Sequence, residues 1–393
     1  MPAAGFHQQR VLIVGASAAG LAAATALRRR GHTGPLTILG AEPETPYDRP
    51  PLSKQLLAGD WSAERLDLLP RQKLAELKAE LRLGTRAVAL DLSCRRVLDG
   101  SGASHEFDAA VIATGVSPRM LACARPGQAG VYVLRTLRDA LGLSAALTAG
   151  CRLVVAGGGF LGLEVAATAR SRGAEVTVVE AVEQPLAARL GPTASRRLLG
   201  LHRERGVAVR AGTGIAEISG DPVRAVLLTD GTSVPADAVL IAIGARPNTD
   251  WLEGSGLDVA DGITCDEYCR AAPAVWAAGD VARWFHHGIG AHLRLEHRTN
   301  ATEQGQAVAA DIMGEGRPFV PVPFFWTDHY DTRLQVAGIV PAGGGAERAA
   351  PEPGVITFHA HDTLNGALGW NAVRQLMPYR QALRARYELA AAE

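Results

Sequence analysis

The strongest constraint on this chain is a pattern that occurs twice. Residues 10–27 read RVLIVGASAAGLAAATAL and residues 152–169 read RLVVAGGGFLGLEVAATA. Gly15, Gly20 and Gly31 recur as Gly157, Gly162 and Gly173, each 142 residues later. In both copies a short apolar run rich in β-branched residues meets glycines and then an alanine-rich segment of helical character. A second apolar run follows, LTIL at residues 36–39 and VTVVE at residues 176–180. Strand, tight turn, helix, strand is a βαβ unit, and the chain carries two of them. The first glycine permits the turn and the second lets backbone approach a pyrophosphate. The third lets helix and strand pack closely, with the helix N-terminus facing the phosphate charge.

The second copy is complete, with Gly157, Gly159 and Gly162 in the GxGxxG spacing. Glu180 closes its second strand, where a carboxylate accepts hydrogen bonds from a ribose 2′-hydroxyl and repels a 2′-phosphate. NAD is therefore expected over NADP, although Arg170 and Arg172 precede that strand. In the first copy Ser17 replaces the middle glycine, and Gly40 stands where Glu180 stands, with Glu42 two residues on. One such motif alone is often only a tight strand–helix turn; two in register, each in the right context, are two nucleotide sites.

Two dinucleotide folds in one chain imply two cofactors that exchange electrons, and FAD with a nicotinamide is the common pair. FDAAVIATGVSPR at residues 107–119 is echoed by PADAVLIAIGARPN at residues 235–248, each a buried-type strand ending in glycine before a proline-marked exit. Such strands close nucleotide folds or carry crossings between domains. VWAAGDVA at residues 275–282 places Asp280 beside Gly279 at a strand end.

Size and composition agree. The chain has 393 residues, enough for two or three domains, with 47% hydrophobic and 20% charged residues. Lys plus Arg equals Asp plus Glu at 40 each, which argues against a nucleic-acid partner. No signal-like apolar run occupies residues 1–10, and no stretch of about 18 apolar residues occurs elsewhere, so no membrane association is expected. Five scattered cysteines fit a reducing compartment, and the cytoplasm is the expected one.

The run PYDRPPLSK at residues 46–54 resembles the flavin-side signature of the NADH:ferredoxin reductases that serve oxygenases. So do GGGFLGLE at residues 157–164, AGDVA at residues 278–282, LEHxxNAxEQG at residues 295–305 and FFWTDxY at residues 324–330, in order along nearly the whole chain. The resemblance implies an α/β architecture: two Rossmann-like dinucleotide-binding domains of the glutathione-reductase-like kind and a C-terminal α+β domain of antiparallel strands with a helix. It places the FAD domain at residues 1–115 and 236–317, the NAD domain at 116–235 and the C-terminal interface domain at 318–393; by composition, residues 342–353, rich in Gly, Ala, Glu and Pro, read as a long exposed hairpin connection or mobile loop. It further implies FAD and NAD(H) as cofactors and an iron–sulfur ferredoxin as electron acceptor, feeding a haem-thiolate monooxygenase or an aromatic-ring dioxygenase.

By the same resemblance Gly15, Ser17, Ala19 and Gly20 cradle the FAD pyrophosphate. Ala41 or Glu42 meets the adenosine ribose and Arg49 a phosphate, and Asp280 holds the ribityl chain. Ala87, Thr114, Gly115, Arg135, Gly244 and Gly279 complete the cofactor-binding set. Lys54 stands beside the flavin, where a cation favours negative charge on the reduced ring. Residues 299–314 form a helix whose positive end aims at the flavin pyrimidine edge. Gly157, Gly159, Phe160, Gly162 and Glu180 bind the nicotinamide nucleotide, with Phe160 over the ring site before NADH enters. Glu164 lies near the nicotinamide ring and approaches Lys54. Trp326 either shields the flavin edge on the electron exit path or is a structural tryptophan. Where the family often has tryptophan after the Glu-His pair, this chain has Arg298, placed near the ring or facing solvent.

Other signals are weaker. Cys265 and Cys269 lie far from the glycine-rich helices, unlike a disulfide-reductase dithiol. His286, His287, His292 and His297 lack acidic or thiol partners for a metal. Arg374, Arg380, Arg384 and Arg386 form either a basic face for an acidic ferredoxin or a solvated helix surface. Two other functions use the same features: NADH-dependent reduction of a small-molecule acceptor, and a flavin-bearing scaffold that senses NADH.

Overall fold

The computed structural model describes residues 6–341, 346–349 and 354–391. Its first sheet has six strands in the order 270–272, 275–277, 109–112, 11–14, 36–39 and 80–82, parallel except for the pair at the 270–277 edge. Its second has five parallel strands in the order 208–211, 175–180, 152–156, 238–241 and 131–132. Strands inside both sheets are apolar and buried along their length, as Val11–Val14, Ala109–Ile112 and Ala238–Ile241 illustrate. Parallel strands covered on both faces have no polar side to present, so they read as continuous runs.

The first glycine turn leads into the helix Ala18–Arg29 and the second into the helix Phe160–Ser171. Each is exited through a left-handed glycine, Gly31 and Gly173. The first helix buries Ala19, Gly20, Ala23 and Ala24, residues small enough for another helix to lie directly on it. That neighbour is the helix Arg298–Ile312, one residue earlier at its start and two shorter at its end than the sequence predicts. At Gly305 the two backbones come so close that a Cβ there would lie 2.3 Å from the Ala19 carbonyl oxygen.

The strands Val116–Pro118 and Ala245–Pro247 pair antiparallel and carry the chain out to the second sheet and back. This corrects the expected division at residue 235. The strand Ala238–Ile241 lies beside Arg152–Ala156 in the second sheet, so that unit runs on to Ile241 and the return crossing follows it. The division expected at residue 317 likewise shifts. Phe319 is packed in the core of the first unit, its ring 5.4 Å from Trp284, and the last sheet begins at Phe324.

That last sheet is antiparallel, in the order 324–329, 332–338, 363–370, 354–360 and 346–349. The helix Val373–Ala390 covers it with Leu376, Leu383 and Tyr387, a stripe on one helical face. Part of the loop expected at 342–353 is instead the strand Ala346–Ala349, whose backbone pairs with residues 356–359; the remainder lies outside the described residues. No helix among the described residues is long and apolar enough to cross a membrane.

Candidate functional site

Both glycine turns are forced by sterics. Gly15 sits at φ +124°, and a Cβ there would lie 2.1 Å from the Ala113 carbonyl oxygen; Gly157 sits at φ +109°, with the Ala242 carbonyl at 2.3 Å. Further along, Gly20 and Gly162 press their helices against the turns, at 1.9 and 2.1 Å from the Gly15 and Gly157 carbonyls by the same measure. Neither helix N-terminus is capped by a side chain or has an acidic residue in its first turn. A Cβ at Gly159 would meet nothing within 4 Å. Both helix ends therefore lack a side-chain cap and present the positive end of the helix dipole, and the space beyond Gly159 is open, the arrangement that holds a pyrophosphate.

The two copies differ in the carboxylate that follows. Glu180 bends back to the second turn, accepting from the Gly158 N–H at 2.8 Å and the Val182 N–H at 3.1 Å. Glu42 instead accepts from Arg49 at 2.5 Å and from the Tyr47 hydroxyl. Arg49 also donates to the Arg135 carbonyl at 2.6 Å, and Arg135 reaches Asp280 at 3.1 Å. Desolvation raises the Tyr47 phenol far above its usual range, which keeps it a neutral donor. Gly279 gives its N–H to Gln304 at 2.8 Å, and a Cβ on it would stand 3.0 Å from Ala19.

Gly15, Ser17, Ala19, Gly20, Thr114, Gly115, Gly279 and Asp280 thus follow the carboxyl ends of strands in the first sheet, with Arg135 against Gly115 and Asp280, at the edge where an open α/β sheet takes its ligand. Thr114 and Asn248 exchange hydrogen bonds of 3.0 and 2.8 Å across the crossing strands. Ala87 is buried in the side sheet of residues 87–106, Ala41 is exposed beside Glu42, and Gly244 is an exposed left-handed turn residue on the crossing.

The second gathering of residues is charged and buried. Glu164 lies in the second turn of the second glycine helix, 7% exposed. Its Oε2 accepts from Lys54 Nζ at 2.7 Å and Ser53 Oγ at 2.6 Å; its Oε1 accepts from Thr327 Oγ1 at 2.7 Å and the Asp328 N–H at 3.4 Å. The helix grips the 46–58 segment again through Thr168, which donates to the Ser53 carbonyl at 2.8 Å, and Arg172, which donates to the Leu57 carbonyl at 2.7 Å. Three parts of the chain so converge on one carboxylate. Ser53 and Thr327 had no signal beyond sitting inside the motifs at 46–54 and 324–330.

Beside this pair Phe160 meets Phe325 with ring centroids 4.9 Å apart, and Phe325 meets His297 at 4.8 Å. Burial pushes the His297 imidazole down to about 4, so it is neutral at pH 7, and its Nδ1 has no partner among the described residues. Arg298 is half-buried and ion-paired to Asp48, bonded also to Thr302, rather than free in solvent. Strand alternation sets Phe325 and Thr327 on the face turned to the second glycine helix and the half-buried Trp326 on the other. Trp326 thus points away from the face on which Thr327 meets Glu164.

The remaining candidates are occupied locally. Cys269 accepts from Gln304 at 3.3 Å, and burial drives its thiol up to about 12 and that of Cys265 well above the usual value, which suits inert core cysteines. His286 is buried on the Pro321 carbonyl. Arg380 lies over the Phe324 ring and 3.9 Å from Glu303, Arg384 pairs with Glu388, and Arg386 donates to the Leu364 carbonyl. Three of the four arginines on the last helix are thus tied down at their own surface.

Comparison with known proteins follows the same division. Residues 9–305 match the pyridine nucleotide-disulphide oxidoreductase family, and residues 324–393 match the reductase C-terminal family. Rhodocoxin reductase of Rhodococcus erythropolis is 38% identical over 332 residues, 84% of this chain and 78% of that one. The ferredoxin–NAD(+) reductase component of the p-cumate 2,3-dioxygenase system of Pseudomonas putida is 37% identical over 330 residues, 84% and 81% of the two chains. The crystal structure of the covalent putidaredoxin reductase–putidaredoxin complex superposes with a TM-score of 0.92 at 33% identity, covering 98% of this chain and 95% of that one.

Proposed function

The chain belongs to the pyridine nucleotide-disulphide oxidoreductase family, and from that membership we propose that it is an NADH-dependent ferredoxin reductase, carrying electrons through FAD to an iron–sulfur ferredoxin that serves an oxygenase. The observation that carries this reading is the pair of uncapped glycine-turn helices, with a buried lysine–glutamate pair where the second helix meets the flavin-side segment. When bound, the flavin and the nicotinamide supply a two-electron exchange on one side and single-electron release on the other.

The chain's part is binding, alignment and charge. We assign the FAD pyrophosphate to the N–H groups after Gly15 and Ser17 and the ribityl chain to Asp280. Its adenosine goes to the crevice bounded by Ala41, Glu42, Arg49 and Ala87. Thr114, Gly115, Arg135, Gly244 and Gly279 shape the walls. NADH falls to Gly157, Gly159 and Gly162, with Glu180 exchanging the Gly158 N–H for a ribose hydroxyl. Lys54 holds positive charge where the reduced ring gains negative charge, and Glu164 fixes that ammonium in place. Phe160 and Phe325 close the nicotinamide side against water. Arg298, tied to Asp48, sits at the opening of the helix aimed at the flavin, and Trp326 is assigned to the outward path of electrons.

The dioxygenase-system relative and the putidaredoxin complex support a small iron–sulfur protein as acceptor. All five cysteines are unpaired, which supports a reducing compartment, and we place the protein in the cytoplasm. The test is an anaerobic titration of the yellow protein with NADH and with NADPH, followed by mixing with candidate ferredoxins. Bleaching by NADH in preference to NADPH, and cytochrome c reduction that depends on added ferredoxin, is the expected result. Reduction of cytochrome c or quinone at full rate without ferredoxin overturns it.

A further inference from the structure

Glu164 is the first member of a line of buried polar groups that runs on past Thr327. A carboxylate facing an ammonium offers only lone pairs, so the Ser53 and Thr327 hydroxyls each give it their single proton. Thr327 Oγ1 is then an acceptor for the ring nitrogen 2.9 Å away, His329 Nε2, which must carry a proton. With its proton there, neutral His329 has a bare Nδ1, and that atom lies 3.4 Å from His202 Nε2. His202 must therefore donate, again from Nε2. Its Nδ1 ends the line with no hydrogen-bond partner among the described residues.

Both rings are fully buried, and both are kept neutral. Burial pushes His202 down to about 3, helped by the neighbouring His329. His329 falls to about 4 through burial and the Lys54 charge, against the opposing pull of the Leu163 carbonyl and Asp328. A charged His329 would donate from both nitrogens and turn the line around at His202; the neutral rings let it run one way, each donor polarising the next.

We propose that His329, backed by His202, is a positioning residue for Glu164: it locks the Thr327 hydroxyl so that its proton points at Oε1, leaving Oε2 turned to Lys54. The proposal rests on reading Lys54 and Glu164 as the place where hydride passes. It reaches beyond that reading by assigning work to two buried histidines 127 residues apart in the chain. The competing view is that the two rings, edge to face at 5.3 Å, are only core packing.

Two measurements on the full-length flavin-loaded protein decide it. In protein labelled with ¹⁵N-histidine, long-range ¹H–¹⁵N spectra at pH 7 should show both rings neutral with the proton on Nε2. Thr327→Val should move the His329 Nε2 resonance. A proton on Nδ1 of His329, a charged ring, or no response to Thr327→Val overturns the proposal without reference to turnover. In stopped flow, His329→Leu should slow the limiting rate of flavin bleaching by NADH about fivefold. The half-saturating NADH concentration should stay within about twofold. His329→Gln, whose amide N–H can donate to Thr327, should recover most of the rate. Leu and Gln variants that are equally slow, or a Leu variant as fast as the parent, make the histidine a packing residue and overturn the proposal. If NADH fails to bleach the parent while the spectra show the stated tautomers, the hydrogen-bond line stands and the hydride reading falls.

Discussion

Glu164 sits in a helix whose first turn is shaped for phosphate, yet among the described residues its carboxylate bonds to partners far away in the chain, Ser53, Lys54, Thr327 and Asp328. Breaking a buried ion pair by removing one charge costs about 3–5 kcal/mol when the other is stranded. Glu164→Gln keeps the shape and loses the charge, leaving the Lys54 ammonium with a neutral acceptor. Its expected signature is retained yellow colour, a loss of about 3 kcal/mol in urea unfolding, and flavin reduction by NADH slowed about tenfold. A variant as fast as the parent removes the pair from the mechanism. The histidines give a second prediction. His202, His297 and His329 are pushed down to about 3, about 4 and about 4, whereas an unfolded histidine titrates near 6.5. Between pH 6.5 and 4 the unfolded chain binds protons that the folded chain refuses, so stability is full above that window and falls through it, by about 1.4 kcal/mol per pH unit for each histidine. Melting temperature should drop steeply from pH 6.5 to 4.5, and His329→Gln should flatten the slope; an unchanged slope contradicts neutral burial of that ring.

Among the elements, the two glycine turns are built alike and should fail differently. Alanine at Gly15 or Gly157 combines a positive φ with a carbonyl closer than any Cβ tolerates. Gly15→Ala should yield a colourless protein destabilised by at least about 2 kcal/mol. Gly157→Ala should remain yellow but resist bleaching by NADH, as visible absorbance during titration would show. The same colour in both variants would mean that the two turns do not serve separate nucleotides. These turns were readable from sequence because their constraint is local: a strand, a forced φ and a helix lie within some 20 residues. The approach of Lys54 to Glu164 was readable from motif resemblance, though not from spacing. Thr327, Ser53 and the His329–His202 line were not readable, because each contact joins segments more than a hundred residues apart and no periodicity encodes it. The strand Ala238–Ile241 escaped for a related reason. Its apolar run suits either sheet, and only pairing with Arg152–Ala156 places it in the second. The strand Ala346–Ala349 is short, exposed and rich in small and charged residues, so it read as loop.

Across the whole molecule, the segment at residues 46–58, the second glycine helix and the C-terminal sheet meet at one carboxylate. Ser53 and Thr327 approach its two oxygens from different units, so their losses should not be independent. Ser53→Ala and Thr327→Val in the same chain should depart from the sum of the single losses by about 1 kcal/mol in urea unfolding. Additive behaviour would mean that the units are held together elsewhere. Glu164 also bears on how such proteins can be recombined. A reductase assembled from halves of two parents would inherit the acceptor from one and its donors from another. Grafts that cut between residues 54 and 164, or between 164 and 327, can succeed only when Ser53, Lys54, Glu164 and Thr327 travel as one inherited set.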